Sequence, residues 1–101
     1  NFEEAIPYLG RAAHLAQENA RYRAFYGKAL SIDEKQRYKA EAEIQSAIKL
    51  DPTNIIYRII LAEFFIQYRL LKRAEGELKR LLTIAPNNQE ALALLDTLRQ
   101  K

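Results

Sequence analysis

Few residues in this chain are of types that perform chemistry, and their spacing does not bring them together. His14 is the only histidine and cysteine is absent, so no second imidazole and no thiolate can share a metal ion with it. The lack of cysteine also removes disulfides and thiol nucleophiles. His14 falls on the polar side of a helical pattern, where a solvated surface histidine is the simplest account. Neighbouring carboxylates occur at Asp33-Glu34 and at Glu41 and Glu43, but solvated helix faces carry such residues routinely. With only three glycines in 101 residues, no glycine-rich phosphate loop exists. No catalytic residue, metal site or cofactor is expected, and an enzyme is disfavoured.

Side chains suited to binding are more abundant. Arg21, Arg23 and Lys28 alternate with Tyr22, Phe25 and Tyr26, a mixture on which single-stranded nucleic acid can stack and be neutralised. A second basic group comprises Arg69, Lys72, Arg73, Lys79 and Arg80, interrupted by Glu75 and Glu77. Net charge is only +3, from 16 basic and 13 acidic residues. Residues 1–50 hold 8 basic against 7 acidic side chains and residues 51–101 hold 8 against 6, so neither half is a basic tail. Nucleic acid is therefore the weaker reading, behind a protein or peptide partner. Ile55, Ile56, Ile59, Ile60, Leu61, Phe64, Phe65 and Ile66 cover more than one helical face. Such a helix is either buried all round or presents Ile56, Ile59 and Ile66 as an apolar groove or self-association surface.

The elements that must carry these residues are helical. Three Gly and three Pro leave little material for tight turns, and 49% hydrophobic with 29% charged residues suits one globular domain. No apolar run approaches the ~18 residues of a membrane span. Apolar and small residues recur at helical spacing at Ala5, Leu9, Ala12 and Leu15, and again at Ala40, Ile44, Ala47 and Leu50. Six helices are expected, near 2–17, 20–31, 34–49, 54–68, 71–84 and 88–100. Asp33 with Gln36, and Asn87 with Glu90, have the spacing of N-terminal capping boxes. Pro7, Gly10 and Gly76 sit inside expected helices, where each glycine costs about 1 kcal/mol relative to alanine.

The chain also repeats itself. Pro52 and Pro86 are 34 residues apart, and Leu50-Asp51-Pro52-Thr53-Asn54 overlies Ile84-Ala85-Pro86-Asn87-Asn88. Ala40, Ile44 and Ala47 overlie Ala74, Leu78 and Leu81, while Tyr26-Gly27 and Leu30 overlie Leu61-Ala62 and Phe65. Between Ala5 and Ala40 the step is 35, which places one extra residue in the loop at 33–36. These residues resemble the tetratricopeptide repeat, whose period is 34 residues. Residues 20–54 and 55–88 are near-complete copies. Residues 1–19 match only a second helix, with Gln17 where proline is expected, and 89–101 match a capping helix. Two departures stand out. Arg23 and Arg58 replace the family's large aromatic, and Glu34 and Arg69 replace its loop glycine.

The resemblance implies an all-α, right-handed solenoid of antiparallel helix pairs forming one domain over 1–101. It implies a cytoplasmic scaffold whose concave groove binds a peptide or a partner helix. The groove positions would be Arg21, Ala24, Lys28, Ser31 and Ile32, then Ile56, Ile59, Glu63, Ile66 and Gln67, with Glu90, Ala93 and Thr97 added by the last helix. Only Lys28 suits the carboxylate clamp with which one subgroup grips chaperone tails, so that ligand is disfavoured. Homodimerisation through the apolar surface is the first alternative, and RNA or single-stranded DNA along the basic faces the second. The runs KAEAEIQSAIKLDP and LAEFFIQYRLLKRAEGELKRLL are also similar to terminal repeats of bacterial J-domain co-chaperones. A fragment of a larger protein is expected, because the chain opens at Asn1 inside a repeat.

Overall fold

The computed structural model describes residues 11–100, and among these every regular element is helical. In chain order they are α1 (Arg11–Leu30), a 3-10 turn (Glu34–Gln36), α2 (Arg37–Leu50), α3 (Ile55–Gln67), α4 (Leu71–Ile84) and α5 (Gln89–Arg99). The helix expected over 2–17 falls largely outside the described residues, as do Pro7 and Gly10. Its described part does not end at Gln17. Instead α1 runs unbroken through the expected gap at 18–19. Gln17-Glu18-Asn19-Ala20 contains neither proline nor glycine, so nothing local stops the hydrogen-bond ladder there.

The chain divides into two compact units, Asn1–Pro52 and Thr53–Lys101. In the first, α1 packs on α2 through small residues. Ala20, Ala24 and Gly27 on α1, and Ala40, Ile44 and Ala47 on α2, are all fully or almost fully buried. Gly27 marks the closest approach. A Cβ built there would lie 2.7 Å from Ile44 Cγ1 and 2.9 Å from the Ala40 carbonyl oxygen. Hydrogen therefore takes the place of a side chain where two helix backbones meet.

In the second unit α4 packs against both α3 and α5. Ile59, Ala62, Leu78, Leu81, Ala91 and Leu95 form one apolar cluster from all three helices. Leu78 and Leu81 are fully buried, each worth about 1.5–3 kcal/mol relative to exposure. The other glycine expected inside a helix, Gly76, has nothing within 4 Å of its built Cβ. Close packing therefore gives no reason for it.

The loops repeat as well as the core. Asn54 caps α3 by accepting from the Tyr57 amide at 3.2 Å, and Asn88 caps α5 by accepting from the Ala91 amide at 2.8 Å. The preceding C-caps also match, Asp51 at φ −144°, ψ 76° and Ala85 at φ −135°, ψ 81°. The second cap is thus Asn88 and not Asn87, because the extended backbone falls one residue later than the capping-box spacing suggests. Asp33 caps the 3-10 turn by accepting from the Lys35 amide at 2.9 Å, and does not start α2 itself. That turn absorbs the extra residue of the 35-residue step. At the equivalent loop of the second unit, Arg69 adopts φ 63°, the left-handed conformation for which glycine is suited.

Candidate binding surface

At both Arg23 and Arg58 the structure holds an ion pair. Arg23 Nη1 donates to Glu43 Oε1 at 3.1 Å, tying α1 to α2. Arg58 Nη1 lies 3.7 Å from Glu77 Oε1, tying α3 to α4. Arg23 and Arg58 are 35 residues apart and Glu43 and Glu77 are 34 apart, so the pairing recurs with the repeat. The second pair is the better shielded, with side chains 14% and 12% exposed. Glu77 also accepts from Arg80 at 2.9 Å. Arg73 lies over the Phe65 ring at 4.3 Å, a cation–π contact. Nothing in the separate spacing of the arginines and glutamates announces these pairs; the 34–35-residue recurrence of both was the available signal.

These contacts hold two helix faces open to solvent. On α1, Glu18, Arg21, Tyr22, Phe25 and Tyr26 line a hollow of about 540 Å³. Tyr22 and Tyr26 stack with ring centroids 5.5 Å apart and planes 17° apart. Lys39 Nζ stands 5.6 Å from the Tyr26 centroid. On α3 the outward side chains are Ile56, Glu63 and Gln67, with Ile66 half-buried. Ile56 is 60% exposed, an uncommon position for isoleucine.

The expected site residues separate by burial. Arg21 and Lys28 are exposed on α1, as are Ile56, Glu63 and Gln67 on α3. Ala24 has no exposed surface and Ile59 keeps 7%, so both are packing residues in this structure. Ala24 belongs to the small-residue face toward α2, and Ile59 to the apolar cluster of the second unit. Of the adjoining positions, Ser31 is buried and donates its hydroxyl to the Lys28 carbonyl at 2.6 Å, while Ile32 is exposed. Glu90, Ala93 and Thr97 are exposed on α5. The central apolar helix is mostly covered. Ile60, Leu61, Phe64 and Phe65 are buried, leaving Ile56 as its one largely exposed apolar side chain.

Among the described residues no group of three or more His, Asp or Glu side chains is arranged to hold a metal ion. No described helix is long and apolar enough to cross a membrane. Compared with known proteins, the chain matches no family model, no curated sequence and no solved structure.

Proposed function

We propose that this chain is a tetratricopeptide-type helical-repeat module that binds a protein segment, and that it is not an enzyme. The observation that carries the proposal is the recurrence at 34–35 residues of packing, capping and pairing together. Ala40, Ile44 and Ala47 are fully buried, and so are Ala74, Leu78 and Leu81. Asn54 and Asn88 cap equivalent helices, and Arg23–Glu43 recurs as Arg58–Glu77. An α-solenoid of antiparallel pairs, in a cytoplasmic scaffold, is the architecture the resemblance implies and is part of the proposal.

The binding residues of the proposal are the exposed subset of the family positions. On α3, Ile56 offers an apolar anchor and Glu63 and Gln67 set register, while on α1 Arg21 and Lys28 offer a separate basic face. Burial of Ala24 and Ile59 assigns them to holding the helices that present the others. Preformed helical faces need no ordering on binding, which lowers the entropic cost of capturing a flexible segment. The test is to pan a random peptide library against the chain and titrate the enriched peptides into Ile56→Lys and Arg21→Glu variants. An affinity loss of about tenfold or more in either variant is expected for anchor residues. Failure to enrich any peptide, or binding that neither substitution changes, would sink the proposal.

A second reading draws on the stacked Tyr22–Tyr26 pair with Lys39 above it. Those side chains are of the kind that hold single-stranded nucleic acid. Titration with a fluorescent oligothymidylate at two salt concentrations separates the readings, since a steep loss of affinity with salt marks phosphate binding.

A further inference from the structure

We infer that the outer face of α1 is a self-association surface, on which a second copy of this chain docks antiparallel about a two-fold axis. The inference does not rest on the peptide-binding proposal, although Lys28 serves both, because the association of the chain alone is read with no peptide present.

Its basis is a stripe of exposed apolar residues on the side of α1 away from α2. Leu15 is 39% exposed, Tyr22 58%, Phe25 44% and Ile32 84%. Ile32 lies just past the end of α1 but stays in its path, since the Ser31 and Ile32 amides still donate to the Gly27 and Ala29 carbonyls at 3.0 and 3.3 Å. The opposite face, Ala20, Ala24 and Gly27, is buried against α2, so among the described residues only one side of α1 is partnered. Of the two described α-helices of its unit it is the longer, with 20 residues against 14 in α2. The excess amounts to about 9 Å of helix at 1.5 Å per residue.

The order of residues along the stripe is what selects a second copy. Its members are separated by seven, three and seven positions, and run aliphatic, aromatic, aromatic, aliphatic. Both sequences read the same in reverse. Two such helices laid antiparallel therefore place Leu15 opposite Ile32 and Tyr22 opposite Phe25, twice over. A two-fold interface requires this kind of self-complementary patch. In the same register Glu18 falls opposite Ala29 and one residue from Lys28 of the second copy. Among the described residues neither Glu18 nor Lys28 has an ion-pair partner. The two charges thus complement each other across the axis in both halves.

The extent of the surface sets the strength. Aromatic side chains offer about 150–250 Å² each. At their observed exposures Tyr22 and Phe25, with Leu15, Ile32 and the flanking charges, bring the pair to roughly 1,000 Å² in total. That is at the small end of specific interfaces, so a dimer that dissociates on dilution is expected.

Sedimentation equilibrium of the 101-residue chain over a wide concentration range tests the inference. The mass should rise from 11.7 kDa toward twice that value. Tyr22→Lys and Phe25→Lys should each weaken the dimer by about 30-fold, as central aromatic contacts do. Circular dichroism should show helicity retained in both variants. Ile32→Glu, in a turn and nearly free of contacts, gives a third disruption that cannot unfold the helix pair. Glu18→Lys and Lys28→Glu should each weaken association and together restore it, which no arrangement lacking their contact would do. A monomer at every concentration would overturn the inference, as would a dimer indifferent to the stripe or one lost only in Ile56→Lys. Absence of rescue in the charge-swapped double variant would overturn the antiparallel register.

Discussion

Replacing Gly27 and Gly76, the two glycines within described helices, by alanine should change stability in opposite directions. Both substitutions gain about 1 kcal/mol of helix propensity, because alanine loses less backbone entropy than glycine. At Gly76 nothing lies within 4 Å of the new methyl group, so the gain should survive intact. At Gly27 the methyl would sit 2.7 Å from Ile44 Cγ1, 2.9 Å from the Ala40 carbonyl oxygen and 3.2 Å from the Ile44 amide nitrogen. The first contact could be relieved by rotating a side chain, but the other two are backbone, and Ile44 is fully buried. Relief then requires α1 and α2 to separate, which is overpacking at a cost of about 1–3 kcal/mol. The net expectation for Gly27→Ala is a loss of up to about 2 kcal/mol. At roughly 4–8 °C per kcal/mol for a domain of this size, Gly76→Ala should raise Tm by several degrees and Gly27→Ala should lower it. Thermal unfolding followed by circular dichroism reads both. A Tm for Gly27→Ala as high as that of Gly76→Ala would refute the closest approach assigned to Gly27.

The remaining predictions concern the repeated interactions. A double-mutant cycle with Arg58→Met and Glu77→Gln should give a coupling of about 1–2 kcal/mol, because both side chains are mostly shielded. The equivalent cycle at Arg23 and Glu43 should give less than about 1 kcal/mol, since Arg23 is 38% exposed and screened by solvent. Urea unfolding measures both, and a larger coupling at the exposed pair would contradict the burial ranking. Arg69→Gly should stabilise the second unit by up to about 1 kcal/mol, by relieving a left-handed backbone that opposes an L side chain; a lower Tm would count against this. Asn54→Ala and Asn88→Ala should each cost about 1 kcal/mol through loss of a cap, with Asn54→Asp and Asn88→Asp close to wild type.

Local sequence determined the parts of this protein that depend on neighbours along the chain. Helical class follows from apolar spacing and scarce turn residues. Pro52 and Pro86 mark the ends of α2 and α4 because proline restricts the residue before it. The 34-residue register identified Ala40, Ile44, Ala47, Ala74, Leu78 and Leu81 as equivalents, and all six are fully buried. The same register misplaced a boundary. It expected a break after Gln17, yet a repeat pattern exerts no force on a backbone, and α1 continues where no residue interrupts it.

Tertiary structure decided what depends on residues distant along the chain. The recurrence of arginine at positions 23 and 58 is unexplained until Glu43 and Glu77 arrive on the next helix to meet it. Gly27 and Gly76 both lie inside helices, and only tertiary packing separates them: α2 crowds Gly27, while nothing lies within 4 Å of a Cβ at Gly76. Ala24 and Ile59 are expected in a groove on the same ground as Arg21 and Ile56. Which of them faces solvent is fixed by the rotation of each helix against its partner, a property of packing that helical periodicity alone leaves free.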